Sequence, residues 1–234
     1  MEAFHLGKSS RFLGGLQALP GVFFGLFYHT FAWKYDLVTR VISMGLWKTW
    51  LSATLETLDG PAVLEIGTGP GHLQKIMLEN GIQGIGLDES PQMADIAWNR
   101  LKKAGYSPHL IRAVGEVIPF QNASFDQVVT TFPSEFITNP DTLAEVYRVL
   151  KDDGELIILR FAWLSNRRWP YKLTAWLFRL VGEAPDPKNP LQNERLSKPF
   201  INAGFSVEIK KIELESSGMI LLLCGKNGIS QSSQ

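Results

Sequence analysis

The sequence predicts an α/β fold, a doubly wound and mostly parallel sheet preceded by a helical segment. Three observations carry that expectation. Short β-type runs alternate with stretches of helical periodicity through the middle of the chain, as in sheets covered by helices on both faces. The first such run ends in Gly67-Thr68-Gly69-Pro70-Gly71 and the second ends in Asp88, both at the carboxyl ends of strands, where open α/β sheets bind ligands. With 234 residues, 45% of them hydrophobic and 20% charged, the chain can bury one large core and still carry an appendage.

Each element has a local cause. Residues 62–67 form an apolar β-type run, and the glycine loop leads into a helix with Leu73, Ile76 and Met77 on one face and Asn80-Gly81 as its stop. Residues 83–88 give a second strand. Ser90 and Pro91 then supply the N-cap and first residue of a helix whose inner face holds Met93, Ile96, Ala97 and Leu101. Residues 109–112 and 125–131 read as the third and fourth strands. Asn139-Pro140-Asp141 opens a helix with Leu143, Val146, Tyr147 and Leu150 inward, and Asp153-Gly154 turns into a fifth strand over 155–159. A helix over 191–203 and two strands, 205–212 and 218–224, close the sheet as a hairpin. Residues 226–234 are polar and read as a flexible tail.

Composition narrows the function. Lys plus Arg and Asp plus Glu both number 23, so the formal net charge is zero, which argues against a nucleic-acid binder working through bulk positive charge. A single cysteine, Cys224, excludes a disulfide framework and any Cys-rich metal site, and fits a reducing cytoplasm. Two local departures stand out. Between Arg11 and Lys34 lie 22 residues without a charged side chain, 14 of them apolar. Pro20 and four glycines interrupt that run, so residues 12–33 read as short helices packed on the domain, or as a membrane-surface or substrate-lid element, rather than as a membrane span. Residues 160–181 hold five cations, no acid and three of the seven tryptophans. Within them Leu173, Trp176, Leu177, Leu180 and Val181 form a helical stripe, suited either to covering the sheet or to an apolar–aqueous boundary.

The glycine loop and the acid suggest a nucleoside site. Glycines lack the Cβ that would hold a ligand away from the backbone, and a carboxylate offers two acceptor oxygens to a vicinal diol. Gly71-His72-Leu73 lacks the Gly-Lys-Ser/Thr of a nucleoside-triphosphate loop. His72 stands where a dinucleotide fold places its third small residue, which leaves a nicotinamide cofactor as a weaker alternative to S-adenosylmethionine.

Four stretches in order resemble the Rossmann-like, class I S-adenosylmethionine (SAM)-dependent methyltransferases: VLEIGTGPG at 63–71, LDESPQM at 87–93, IPF at 118–120 with SFDQVV at 124–129, and EVYRVLKDDG at 145–154. Tyr35-Asp36 ahead of the core resembles the ubiquinone/menaquinone-biosynthesis C-methyltransferase branch. The resemblance implies a seven-stranded sheet of order 3-2-1-4-5-7-6 with the last strand antiparallel, SAM as cofactor and S-adenosyl-L-homocysteine (SAH) as product. It implies domain limits of 1–58 for a helical lid, 59–225 for the SAM-binding domain with an insertion over 160–190, and 226–234 for the tail. Carried over by position, Gly67, Thr68, Gly69 and Gly71 would line the methionine and ribose. Glu65 would orient the amino group, Asp88 would hold the ribose diol, Glu89 would belong to the same cofactor site, and Met93 would pack near the adenine. Gly115 and Glu116 would run past the adenine, Thr131 and Phe132 would border the methyl donor, and Tyr35 would close over it. The family's common GDA reads Ala113-Val114-Gly115 here, so the acid that often meets the adenine amine is Val114.

Methyl transfer is an in-line displacement that asks mainly for alignment and exclusion of water. No general base is evident; His29 and His72 are the histidines nearest the site in sequence. The two apolar and basic segments, 12–33 and 160–181, predict a small or lipid-like hydrophobic acceptor, a quinone precursor or a phospholipid headgroup, reached at a membrane surface by a cytoplasmic protein. A soluble small-molecule methyltransferase or a catalytically silent SAM-binding module are the alternatives. Neither a metal nor an oligomeric state is indicated.

Overall fold

A computed structural model describes residues 45–164 and 190–227. Tyr35, the apolar segment 12–33, residues 165–181 of the basic segment and residues 228–234 of the tail lie outside the described residues.

The elements run α1 (Trp47–Leu55), β1 (Val63–Ile66), α2 (His72–Glu79), β2 (Ile85–Asp88), α3 (Pro91–Lys103), β3 (Leu110–Arg112) and β4 (Phe125–Thr131). A short 3-10 turn (Glu135–Thr138) leads to α4 (Pro140–Val149), then β5 (Leu150–Leu164), α5 (Pro190–Asn202), β6 (Ser206–Leu214) and β7 (Ser217–Gly225). The seven strands form one sheet of order β3-β2-β1-β4-β5-β7-β6. β1 to β5 are mutually parallel, and β7 runs antiparallel to both β5 and β6. The predicted architecture is present, including the closing hairpin.

Alternation along the strands divides the core into two clusters, one on each face of the sheet. Leu64, Ile66, Val128, Leu156, Ile158, Ile220 and Leu222 point to the face covered by α4 and α5, where they meet Leu143, Val146 and Phe200. Val63, Val129, Ile157, Leu159, Met219, Leu221 and Leu223 point to the other face, covered by α1 and α2 through Trp50, Leu51, Leu73, Ile76 and Met77. Thus α1, inside the segment expected as an N-terminal lid, packs into the core. Its Trp50 indole donates to Ser217 Oγ at 3.1 Å, joining the first described helix to the last described strand.

Two of the four recognised motifs serve as one clamp. Arg148 on α4 donates to the carbonyls of Ile118 and Phe120 and to both oxygens of Glu145, while Glu145 accepts from the Ile118 amide. The pair fixes the approach to β4, and the hydrogen bonds from Arg148 hold Glu145 below the usual carboxylate pKa. Asp126 and Gln127 fix the approach to β1: Asp126 accepts from the Ala62 amide, and Gln127 Oε1 accepts from the amides of Asp59 and Gly60.

Two expectations need correction. The fifth strand spans Leu150–Leu164, well beyond 155–159. Asp153-Gly154 lies in a bulge rather than a turn ahead of the strand, since Phe125 pairs with Leu150 and Gln127 already with Glu155. Phe161 to Leu164, which begin the basic segment, continue the ladder opposite Ile220 to Ser217. Gly218 lies directly under the Trp163 ring, where a Cβ would collide with the indole. On α3, Met93, Ala97 and Leu101 are buried as expected, whereas Ile96 is only half-buried.

Candidate cofactor site

The carboxyl ends of β1 and β2 are joined by backbone and one carboxylate. Gly67, Gly69 and Gly71 have φ of +72°, +54° and +78°, the left-handed region that side chains with a Cβ occupy at a cost of roughly 1–2 kcal/mol. The amides of Gly67 and Thr68 both donate to Leu87 O, so the loop folds back over the end of β2. Asp88 closes it: Oδ2 accepts from the Gly69 amide at 2.7 Å and Oδ1 from the Ser90 amide at 2.9 Å. Ser90 in turn caps α3 by accepting from the Met93 amide at 3.3 Å. A Cβ at Gly71 would stand 2.9 Å from Ala97 Cβ, so this glycine also sets the packing of α2 against α3.

Glu65 stands on β1 beside this loop, 1% exposed. Its Oε2 is buried without a hydrogen-bond partner, as is Nε2 of the neighbouring Gln74 on α2. Burial pushes its pKa up to about 8, with the charge of Asp88 adding to the rise and the Gln74 amide opposing it. Asp88 is also raised, chiefly by burial and against the hydrogen bonds from Ser90 and Gly69. Two carboxyl groups therefore line one short edge of the sheet, one buried and orphaned, the other partly open.

The other predicted residues fall around this centre. Gly115 is buried, and a Cβ there would meet Thr142 Cγ2 at 3.0 Å and Phe136 at 3.5 Å. The same Phe136 ring would meet a Cβ at Gly67 at 3.2 Å, so it bridges the loops after β1 and β3. Glu116 accepts from Asn139, the N-cap of α4, at 2.9 Å. Met93 is buried at the start of α3, Thr131 is half-buried at the end of β4, and Glu89 is exposed, its carbonyl accepting from Arg112. Sequence reasoning missed Gln74 and Phe136. Gln74 left a signal, a polar residue beside Leu73 at the inward start of an otherwise apolar helix face, whereas Phe136 left none because its role depends on where the chain goes after β4.

Strand order, the loop after β1 and the acid after β2 define the class I, Rossmann-like methyltransferase fold, whose cofactor is SAM. The comparisons agree. Residues 64–158 match the methyltransferase domain family. The ubiquinone/menaquinone biosynthesis C-methyltransferase UbiE of Rhizobium etli is 31% identical over 165 residues, covering 66% of this chain and 64% of that protein. The chain thus spans a little under two thirds of that relative's length. Among solved structures, a SAM-dependent methyltransferase of Thermotoga maritima has a TM-score of 0.57 at 21% identity, over 86% of this chain and 98% of that one. The phosphoethanolamine N-methyltransferase 2 of Haemonchus contortus, solved with phosphomonomethylethanolamine and SAH, has a TM-score of 0.54 at 17% identity, over 79% of this chain and 53% of that one. Residues 64–158 thus match a methyltransferase domain, and over 66% of its length the chain is similar to a ubiquinone/menaquinone-biosynthesis C-methyltransferase.

The residues present fit SAM. The three left-handed glycines leave backbone exposed to a ligand, and each Asp88 oxygen, with one backbone donor, keeps acceptor capacity for a hydroxyl. The orphaned Glu65 Oε2 lacks a donor that an amino group supplies.

Proposed function

We propose that the protein transfers the methyl group of SAM to a hydrophobic acceptor of the quinone-precursor type. The observation that carries the cofactor half is the pairing of the glycine loop with Asp88 and the unpartnered Glu65 at the carboxyl edge of β1 and β2. The 31% identical C-methyltransferase of quinone biosynthesis supports the acceptor half.

When bound, SAM supplies a sulfonium methyl whose transfer breaks the C–S bond, leaves SAH and, for a carbon acceptor, releases a proton from that carbon. Asp88 accepts hydrogen bonds from the ribose hydroxyls, using the lone pairs that Gly69 and Ser90 leave open. Glu65 would ionise on meeting the ammonium of the methionine, which supplies the partner that its buried oxygen lacks. Gly67 and Gly69 let the ligand lie on the backbone, with Thr68, Glu89, Met93, Gly115, Glu116 and Thr131 around it and Tyr35 over it. The apolar and basic segments 12–33 and 160–181 bring the domain to an anionic membrane surface where such an acceptor dissolves.

Calorimetric titration with SAM and SAH, with NADH as the control, tests the cofactor. Binding of the two adenosyl ligands but not NADH is expected, and NADH binding alone would refute the proposal. Flotation with anionic liposomes tests the surface: the intact chain should float and a chain lacking residues 1–30 should float less.

A further inference from the structure

Beside the glycine loop lies a group of aromatic rings. The Trp47 ring, at the start of α1, stacks on Phe132 with centroids 4.5 Å apart and planes at 26°. Trp50 approaches the same phenyl ring at 6.0 Å, and His72, the first residue of α2, meets Trp47 edge-on at 6.4 Å. Three elements thus converge on one spot at the carboxyl edge of the sheet: His72 directly follows Gly71, and Phe132 directly follows Thr131. Trp47, His72 and Phe132 are each half-buried.

The backbone is bent to make this group. Val128 faces the α4 and α5 side and Val129 the α1 and α2 side, so continued alternation would send residue 132 to the side of Val128. Phe132 instead has φ +49° and packs against the cluster containing Val129, Trp50 and Leu73. A bulky residue in the left-handed region is an outlier, and such strain gathers at functional sites. The bend holds although the Phe132 amide still donates to Leu159 O at 2.8 Å. One more group is unexplained: Trp47 Nε1 is buried and has no hydrogen-bond partner, a rare condition for an indole N–H.

We infer that Trp47, Phe132 and His72 form the wall against which the ring of the proposed acceptor lies, and that Trp47 Nε1–H donates to an oxygen substituent on that ring. Ligand sites take this form, aromatic walls with one or two placed polar groups. The position is right for the reaction, since the wall begins one residue from the cofactor loop and from the end of β4, and the two reactants must be held in contact. An aliphatic amine would leave both the ring faces and the indole N–H unused. This inference rests on the methyl-transfer reading above.

The test is calorimetry on the full chain saturated with SAH, with 1,4-dihydroxynaphthalene under reducing conditions as the probe and phosphoethanolamine as the comparison. The variants are Phe132→Gly, which removes the ring at a backbone angle glycine adopts freely, and Trp47→Phe, which keeps a ring and removes the N–H. The unsubstituted protein should bind the naphthalene diol at least about tenfold more tightly than phosphoethanolamine. Phe132→Gly should weaken the diol about tenfold and Trp47→Phe about fivefold, the latter leaving SAH affinity within about twofold. If the unsubstituted protein fails to bind SAH, the methyl-transfer reading falls and this inference with it. If SAH binds but the diol binds no better than phosphoethanolamine, or both variants bind it unchanged, this inference alone is overturned.

Discussion

The two ends of the carboxyl edge are built by different means. At β1 and β2 the site is backbone: three glycines in left-handed conformations, two amides on one aspartate, and a buried acid within the same short stretch of chain. At the end of β4 the site is side chain: Trp47, His72 and Phe132, drawn from three elements across 85 residues of sequence. Backbone contacts accept one ligand shape and resist change, because each glycine replaced meets both strain and a neighbour. Ring contacts can be exchanged one at a time. A chemistry that keeps its cofactor and varies its acceptor is served by that division.

The sharpest way to break the first end is Gly71→Val. Its φ of +78° and the 2.9 Å approach to Ala97 predict a loss of about 3–5 kcal/mol, read as a lower denaturation midpoint in urea, together with loss of SAH binding. Next is Asp88→Ala, which removes the acceptor expected to hold the ribose. SAM and SAH affinity should fall about 100-fold, on the scale of two hydrogen bonds to a charged group. The fold should change less, because Asp88 ionises at some cost from its burial, and thermal denaturation separates the two effects.

Glu65→Gln sharpens the comparison through pH. The buried Glu65 pKa is raised to about 8 from an ordinary 4.5, so between those values the folded protein keeps a proton that the unfolded chain has lost. Stability of the unliganded protein therefore falls as pH rises through that window. The variant should lack this slope and denature at a higher temperature than the parent near pH 8. Binding runs the other way: an ammonium favours the ionised acid, so SAH affinity should increase from about pH 6 to about pH 8 with release of a proton. Buffers of different ionisation enthalpy reveal that proton in calorimetry, and the variant should release none through this group.

The smallest effect is a control on strain. Ala123 is the other described non-glycine residue with positive φ, at +53°, and it is exposed in the turn before β4. Ala123→Gly should stabilise the fold by about 1 kcal/mol or less without changing ligand affinity, since nothing functional is attached to that angle. A gain there combined with loss of acceptor binding in Phe132→Gly would show that only one of the two strained positions does something for the site.

The same contrast explains what could be read from the sequence. The glycine loop, Asp88 and the caps Ser90 and Asn139 are local, each a short pattern with a local cause, and all stand where expected. Glu65 was legible as a residue, but its orphaned oxygen depends on Gln74 and on closure of the sheet above it. The aromatic wall was half visible, through Phe132, because nothing in the residues around Trp47 says which strand end its helix will cross. The fifth strand was cut short because Asp153-Gly154 resembles a turn and the cations after Arg160 mask the continuing alternation of Phe161, Ala162 and Trp163.

The position of β7 has a consequence for how the protein is made. All nine of its residues are buried, and it lies between β5 and β6 although it leaves the ribosome after both. Until residues 217–225 emerge, β5 presents an unpaired apolar edge along most of its fifteen residues, the kind of edge on which chains associate. The helix that begins the described chain waits as well, since the Trp50 bond to Ser217 spans 167 residues. Folding of this domain is therefore completed only once β7 is available, slow in the manner of long-range strand pairing and dependent on protection of one edge until that strand inserts.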